Sequence, residues 1–293
     1  MLGNILKSIH SDVGISPISK FKMYEYSIDM AIRNRKDDTV MSIYYENNSA
    51  KIKRPDSNRR PGSLSTVFTD EQLDLLASVM HIKKYSADTH LFWEGDEAIA
   101  VYWILKGRVK LRKSTSDGKD LLLSILQPDD MIADIDTWDT SHRYTAETID
   151  EVEVGIIPRL QLEMLMCKHG DFAYRYAMWM GLLQRKTESK LRDLLMGGKN
   201  GALASTLIRL CNSFGERVED HHIRINIKLT NNELAELVGT TREGVNRLLA
   251  SMKKDGIVTN NHAGYIVVTN IQALKDMAGC PLCPTCPNEI CRL

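Results

Sequence analysis

The sequence predicts an α+β protein in which a barrel of short antiparallel strands precedes a long helix and a helix-turn-helix with a small β-hairpin. Three observations predict this fold. Apolar residues alternate with period two between about residues 81 and 158, they recur at spacings of three and four after residue 170, and two short helical patterns meet at Gly239. The chain has 293 residues, of which 43% are hydrophobic and 26% charged, a composition typical of a globular protein with about two domains.

Residues 1–64 show no sustained apolar period and end in a basic stretch that contains Pro55 and Pro61. We expect an N-terminal extension and linker here and assign it no function. No apolar run in the chain approaches the roughly 18 to 20 residues that cross a bilayer, and the first residues lack a secretory pattern. We therefore expect a cytoplasmic protein with no membrane partner.

Residues 65–165 carry the predicted barrel. A capping-box pattern at Thr69–Gln72 predicts a short helix, after which the period changes to two. The alternating apolar sets are Val101, Trp103 and Leu105; Val109 and Leu111; Leu121, Leu123 and Ile125; and Val152, Val154 and Ile156. Short strands separated by turn signals are typical of an antiparallel barrel or jelly roll.

Residues 166–197 predict one long helix. Its apolar positions are Phe172, Tyr176, Trp179, Leu183, Leu191 and Leu194. We interpret this spacing as a coiled-coil seam in a parallel homodimer; a helix packed only on its own barrel is the alternative. Three glycines within residues 197–201 end the helix and predict a hinge between domains.

Residues 198–277 carry the helix-turn-helix. Capping-box patterns at Thr230–Glu233 and Thr240–Glu243 flank Gly239, and helix, glycine turn and helix in this order are typical of DNA-binding proteins. Apolar residues 257–258 and 265–268 predict a β-hairpin wing.

The second helix of this motif has one apolar and one polar face. Val245, Leu248, Leu249 and Met252 should face the core, and we expect close packing on the first helix at Gly244. Arginine can bind guanine, glutamate can accept from cytosine and lysine can contact phosphate; a solvated helix face is the alternative. The expected DNA-contacting residues are Arg242, Glu243, Asn246, Arg247, Lys253 and Lys254, which give this segment a charge of about +3 in a chain of zero net charge.

Residues 278–293 contain four of the six cysteines. Cys280, Cys283, Cys286 and Cys291 follow the spacing C-x2-C-x2-C-x4-C. In a reducing compartment such a cluster favours a metal over disulfides, and thiolates prefer zinc or iron-sulfur clusters. The spacing leaves both a structural zinc site and an iron-sulfur site open. No cofactor glycine fingerprint or nucleophile constellation accompanies these cysteines, so an enzyme is not expected.

From about Val67 to the end, the order of barrel, long helix and winged helix-turn-helix resembles the CRP/FNR family of transcription regulators. The run Thr241–Arg247 is similar to the family's recognition helix. The resemblance implies that Arg242, Glu243 and Arg247 read TGTGA-type half-sites of a palindromic double-stranded DNA operator, bound by a homodimer. It also implies a cyclic-nucleotide-binding-like β-roll, an activator that has RNA polymerase as a partner, and a protein that is not an enzyme.

Within that family, the tail from Cys283 to Cys291 resembles the Bacillus-type FNR regulators, which carry a C-terminal [4Fe-4S] cluster. The resemblance implies that Cys283, Cys286 and Cys291 bind the cluster and that Asp193, at the end of the dimer helix, is the fourth ligand. Cys280 departs from the family pattern and is the alternative fourth ligand. Without the family, a solvent-exposed helix-end carboxylate is the simpler interpretation of Asp193. The implied protein binds DNA when oxygen is scarce and loses that binding in oxygen.

The alternative is a regulator that binds a cyclic nucleotide and has a structural zinc site in its tail. The family's Gly-Glu-Leu and Arg-Ser patterns for that ligand are replaced by residues 133–135 (Ala-Asp-Ile) and by Arg143-Tyr144. Tyr144 is bulky where a phosphate would bind, although Arg143 remains. The sequence therefore disfavours a cyclic nucleotide and leaves the effector site unassigned.

Overall fold

The computed structural model describes residues 60–115, 117–134, 141–280 and 287–293, all of which fall within one compact unit. Most of the expected extension lies outside the described residues. The helices are α1 (Leu64–Val67), α2 (Asp70–Ser78), α3 (Arg159–Lys168), α4 (Gly170–Met196), α5 (Gly198–Phe214), α6 (Asn231–Val238), α7 (Arg242–Lys254) and α8 (Ile271–Met277). The strands are β1 (His81–Tyr85), β2 (His90–Phe92), β3 (Ala100–Lys106), β4 (Val109–Ser114), β5 (Asp120–Leu126), β6 (Met131–Ile132), β7 (Thr145–Thr148), β8 (Val152–Pro158), β9 (Gly215–Arg217), β10 (Ile223–Ile225), β11 (Val258–Asn260) and β12 (Ile266–Val268).

The first eight strands form a β-roll of two antiparallel sheets, ordered β1-β8-β3-β6 and β2-β7-β4-β5. His81 pairs with Ile156 in one sheet and Val109 with Thr148 in the other. Side chains of both sheets form one buried cluster, which includes Tyr102 and Val154. Thr69 accepts from the Gln72 amide at the start of α2 and completes the predicted capping box. The predicted antiparallel barrel is therefore confirmed.

The β4–β5 hairpin departs from simple alternation. Leu111 pairs with Ser124 but Arg112 pairs with Leu122, so a β-bulge leaves Leu123 without a partner position. Leu123 packs partly on the roll core, Leu122 and Ile125 belong to a second buried cluster with α5 and α6, and Leu121 is 38% exposed. The predicted single face of Leu121, Leu123 and Ile125 is wrong, because the extra residue shifts the alternation.

The apolar stripe of α4 faces the protein's own chain. Phe172, Tyr176 and Trp179 are buried, and the Phe172 ring lies 5.4 Å from the ring of Phe68. The prediction that these residues form the seam of a coiled coil is wrong, because they are already buried within their own chain, where Phe172 packs on Phe68 at the end of α1. Periodicity alone identified an apolar stripe but not its partner.

The opposite face of α4 carries exposed residues at alternating spacings of four and three. They are Tyr174, Met178, Gly181, Arg185, Glu188, Arg192 and Leu195. Tyr174, Met178 and Leu195 are 64%, 55% and 72% exposed, which leaves large apolar side chains uncovered along one helix face.

The interruption between α4 and α5 involves fewer residues than the predicted hinge at residues 197–201. α4 ends at Met196 and α5 begins at Gly198, whose φ is +55°. Gly201 lies inside α5, where a Cβ would lie 3.0 Å from the carbonyl oxygen of Met277. Gly201 therefore permits close packing of α5 on the end of α8, and the hinge prediction is wrong for this residue.

The C-terminal half is a winged helix-turn-helix. The Thr230–Glu233 capping box forms, and Gly239, with φ of +70°, ends α6 in the left-handed conformation. The cap of α7 is Thr241, whose Oγ1 accepts from the Gly244 amide at 3.1 Å. The second predicted capping box is wrong, because the residue three positions after Thr241 is a glycine. The wing belongs to a sheet ordered β11-β12-β10-β9.

Candidate nucleic-acid interface and metal centre

Helix α7 presents its charged face to solvent. Val245, Leu249 and Met252 are buried beneath it, and Leu248 is half-buried. The six residues predicted to contact DNA are all exposed, namely Arg242, Glu243, Asn246, Arg247, Lys253 and Lys254. The structure therefore brings them together on one accessible helix face, which can enter a major groove.

The turn between α6 and α7 fixes the position of this face. The Asn231 side-chain amide of α6 donates to Asn246 Oδ1 of α7. Gly244 is buried, and a Cβ there would lie 3.2 Å from Thr240 Oγ1. Gly244 thus packs on the turn, and the expectation of close packing on the first helix is wrong.

Two basic side chains that were not predicted lie against Tyr265 of the wing. Lys228 Nζ lies 5.2 Å from the centre of the Tyr265 ring, and the Arg224 guanidinium lies 5.9 Å from it. The available sequence signal for this charge was the position of Lys228, shortly before the predicted capping box at Thr230–Glu233. Lys228 adds positive charge near the start of the helix-turn-helix, whereas the charge of Arg224 is paired with Glu216 at 2.6 Å.

A group of ion pairs joins the roll to α6. Lys110 Nζ lies 3.4 Å from Glu147 Oε2 and 3.4 Å from Glu233 Oε1. Arg112 Nη2 lies 3.2 Å from Glu236 Oε2, and its Nη1 lies 3.3 Å from Glu147 Oε2. Burial raises the pKa of Glu236, although the nearby Arg112 opposes the shift. The first helix of the DNA-binding motif is thus docked on β4 by ion pairs and on β5 by the apolar cluster.

Asp134 and Arg143, which stand at the positions of the family's cyclic-nucleotide patterns, bind each other. Arg143 Nε donates to Asp134 Oδ1 at 2.9 Å, and its backbone amide donates to Oδ2 at 2.9 Å. Burial alone would raise the pKa of Asp134, but the His142 ring 3.7 Å away and the hydrogen bonds from Arg143 lower it to about 2. The Arg143 guanidinium therefore neutralises a carboxylate of its own chain, which makes it a poor phosphate ligand.

Asp193 lies in the last turn of α4 and its side chain is 12% exposed. Oδ2 accepts from Ser205 Oγ at 2.6 Å and from Arg209 Nη2 at 2.6 Å, whereas Oδ1 accepts from Arg192 Nη2 at 2.7 Å. Burial alone would raise the pKa of Asp193, but these hydrogen bonds lower it below its usual value. The interpretation of Asp193 as a solvent-exposed helix-end carboxylate is therefore wrong.

Arg209 of α5 connects α4 to the C-terminal tail. Its side chain is 2% exposed, and Nη1 donates to the carbonyl oxygens of Ile290 at 2.9 Å and Arg292 at 3.2 Å. Nη2 also donates to Ser189 Oγ at 2.9 Å. Arg209 was not among the predicted site residues, although it is a single charge within the apolar stretch 207–211.

The described part of the tail packs along α5. Asn212 Nδ2 donates to the carbonyl oxygen of Cys291 at 2.7 Å, and the side chains of Cys280 and Cys291 pack partly against the buried cluster of α5. Cys283 and Cys286 lie outside the described residues. Within the described ranges, no three histidine, cysteine or acidic side chains are grouped closely enough to hold a metal ion. An ionised carboxylate and a half-buried thiol attached to the same helix fit a thiolate-rich metal site, whose full ligand set stays a prediction.

Lys190 links α4 to the β5 bulge. Its Nζ donates to the carbonyl oxygen of Leu123 at 2.8 Å and of Leu122 at 3.3 Å. Burial, with a further contribution from the Arg209 charge, lowers the pKa of Lys190 to about 8. The end of α4 that carries Asp193 is therefore also attached to the strand that supports α6.

Comparison with known proteins agrees with this architecture. Residues 82–169 match the cyclic nucleotide-binding domain family, and residues 201–277 match the Crp-like helix-turn-helix domain family. The chain is 38% identical over 232 residues to the anaerobic regulatory protein of Bacillus subtilis (strain 168), covering 78% of this chain and 95% of that protein. It is 31% identical over 167 residues to a CRP-like cAMP-activated global transcriptional regulator of Mycobacterium tuberculosis, covering 57% and 74%. The structure of FixK2 from Bradyrhizobium japonicum superposes with a TM-score of 0.60 at 22% identity, covering 70% of this chain and 100% of that one.

A β-roll, a long helix and an exposed basic face on a winged helix-turn-helix together define a DNA-binding transcription regulator. The chain belongs to the CRP/FNR family of these regulators. Its predicted fold class and the prediction that it is not an enzyme are confirmed. None of the helices in the described residues combines the length and apolar character that a bilayer span requires.

Proposed function

We propose that this protein is an oxygen-responsive regulator whose tail binds a [4Fe-4S] cluster through Cys283, Cys286 and Cys291. Asp193 is the proposed fourth ligand, and Cys280 is the alternative. The observation that carries the proposal is the shared attachment of Asp193 and the tail to Arg209. The similarity to a protein named as an anaerobic regulator supports it.

When bound, such a cluster supplies an oxygen-labile inorganic bond between the tail and the end of α4. The chain itself provides the path from that end to the DNA-binding motif. Lys190 attaches α4 to β5, and Leu122 and Ile125 of β5 share a buried cluster with Leu234 of α6. A change in the seating of α4 therefore reaches the helix that supports α7.

The proposed DNA-binding unit is a homodimer that meets along the exposed face of α4. Tyr174, Met178 and Leu195 would be covered there by the second copy. In each copy Arg242, Glu243 and Arg247, with Asn246 beside them, would read one half of a TGTGA-type palindrome. Lys253 and Lys254 would contact phosphates. RNA polymerase is the proposed partner at promoters that the protein activates.

The test is anaerobic purification, an assay of iron and sulfide, and operator binding measured before and after exposure to air. We expect a coloured protein whose affinity for the palindrome falls in air. Cys291→Ser should abolish both properties. Cys167→Ser is the matched control, because Cys167 is exposed on α3, away from the tail.

Three results would contradict the proposal. One is a colourless protein that holds one zinc ion, and another is DNA binding that does not respond to air. The third is tight binding of cyclic AMP that switches on DNA binding, which the pairing of Asp134 with Arg143 disfavours.

A further inference from the structure

One face of α5 holds both parts of the proposed metal site. We define the tail clamp as Arg209, Asn212 and Ser213. Arg209 donates to the carbonyl oxygens of Ile290 and Arg292, and Asn212 donates to the carbonyl oxygen of Cys291. Ser213 Oγ accepts from the Leu293 amide at 3.0 Å. Four consecutive tail residues are therefore hydrogen-bonded to α5 through their backbone atoms.

The same arginine also holds Asp193. Arg209 Nη2 lies 2.6 Å from Asp193 Oδ2, and Ser205, one turn earlier in α5, donates to the same oxygen. Oδ1 is held by Arg192, whose side chain is 51% exposed. Arg192 can move into solvent without becoming a buried, unpaired donor. Oδ1 can therefore be released from Arg192 while Oδ2 stays bound to Arg209 and Ser205.

The planar guanidinium is suited to this double task. Nη1 faces the tail while Nη2 faces Ser189 and Asp193, so one rigid group joins two segments that are about a hundred residues apart in sequence. A lysine at this position would keep the charge but could not donate in both fixed directions. The arrangement restrains the tail before a ligand arrives, which reduces the conformational entropy lost on binding.

We propose that the tail clamp positions Cys291 and Asp193 for metal binding, and that Arg209 keeps its bond to Asp193 Oδ2 while Oδ1 becomes a ligand. These are positioning residues, since none of them is a proposed ligand. The identity of the metal rests on the proposed function, whereas the restraint on the tail does not.

The first experiment uses the metal-free full chain and measures amide hydrogen exchange of residues 288–293. We expect exchange about 10-fold faster in Arg209→Lys, and faster by a smaller factor in Asn212→Ala, because the backbone restraint is lost. Arg192→Ala is the matched control, since it removes the bond to Asp193 Oδ1 while every residue of the tail clamp stays in place, and it should leave these amides unchanged.

The second experiment loads each variant anaerobically with ferrous iron and sulfide and follows the loss of visible absorbance in the presence of a chelator. Loss of a residue that orients metal ligands should speed release by about 10-fold in Arg209→Lys. Arg192→Ala should stay within about 2-fold of wild type. A merely structural role would lower the unfolding temperature of the metal-free chain but leave the chelator rate unchanged well below that temperature. If Arg209→Lys fails to fold, both measurements are made on Asn212→Ala, because this variant loses only the hydrogen bond to the carbonyl oxygen of Cys291.

The inference is overturned if Arg209→Lys and Asn212→Ala exchange their tail amides and release metal at the wild-type rates. It is also overturned if Arg192→Ala raises these rates as much as Arg209→Lys does. The two proposals fail separately. If the wild-type chain binds no iron and sulfide, the proposed function fails, and the exchange experiment still decides whether the clamp holds the tail. If the wild-type cluster forms and the clamp variants keep it equally well, only the inference fails.

Discussion

Replacing Arg112 tests whether ion pairs dock α6 on the β-roll. Arg112→Met removes the charge that lies 3.2 Å from Glu236 and 3.3 Å from Glu147. The side chains of these two glutamates are only 9% and 16% exposed. Glu147 keeps Lys110 as a partner, whereas the poorly solvated Glu236 carboxylate loses the cation that pairs with it. Glu236→Gln is the gentler change, because Arg112 keeps Glu147 as a partner.

The magnitudes follow from burial. Removing one partner of a fully buried pair costs about 3–5 kcal/mol, and with Arg112 23% exposed we expect about 2 kcal/mol for Arg112→Met. For Glu236→Gln we expect about 1 kcal/mol or less, since burial already raises the pKa of this carboxyl and opposes its charge. The double variant should cost less than the sum of the two by about 1 kcal/mol, because the uncompensated carboxylate of Glu236 is absent.

The assay is urea unfolding followed by tryptophan fluorescence and by circular dichroism. The tryptophans in the described residues are Trp93 and Trp103 of the roll and Trp179 of α4, and their fluorescence reports on this half of the chain. Circular dichroism also reports on the helices of the DNA-binding half. We expect coincident transitions in the wild-type chain and separate ones in Arg112→Met, since docking of the two halves is weakened. If the two substitutions are additive within about 0.4 kcal/mol, the pair does not couple the halves and the reasoning is refuted.

Three further predictions concern DNA, pH and assembly. Arg247→Ala should cost about 1–3 kcal/mol of operator binding and relax base preference, whereas Lys254→Ala should weaken all sequences alike and lower the salt slope by about 1; equal specificity losses in a binding-site selection would contradict this. Lys190 has a folded-state pKa of about 8, below its unfolded value of 10.5, so the unfolded chain binds more protons between these values and stability should rise with pH there. Relative to Lys190→Met, wild type should gain about 2 kcal/mol between pH 7 and pH 10 in urea unfolding, and parallel profiles would refute it. Met178→Glu should weaken the homodimer at least about 10-fold in sedimentation, because a charge would be buried between the two copies. Leu160→Glu, at an equally exposed position on α3, should leave the dimer affinity unchanged. Equal dimer affinities of the two variants would exclude this face.

Local chemistry made much of the DNA-binding half predictable. The Thr230 cap, the left-handed Gly239 and the apolar spacing from Val245 to Met252 depend on residues close in sequence, so they placed α6 and α7 and the exposed face with Arg247. The second capping box failed because the helix begins one residue later than its pattern suggested, at a threonine cap that was equally available.

Long-range contacts explain what the sequence could not predict. The sequence predicted the apolar stripe of α4. It could not predict whether a side chain such as Trp179 packs within its own chain or against a second copy, because periodicity does not identify the packing partner. The bulge at Leu123 changed which face of β5 is buried, because one extra residue reverses a period of two.

The sequence alone determined the order of roll, long helix and winged helix-turn-helix, the reading face around Arg247, and the presence of a cysteine-rich tail. These features follow from periodicity and from residues a few positions apart. The tertiary structure decided that Asp193 is half-buried and paired with Arg209. It also decided that Arg209 joins Asp193 to the carbonyl oxygen of Ile290, which lies 81 residues from Arg209 in the sequence. Only the folded chain could decide this, because a buried arginine is stabilised by the partners that surround it in space, and those partners come from two distant parts of the sequence, α4 and the tail.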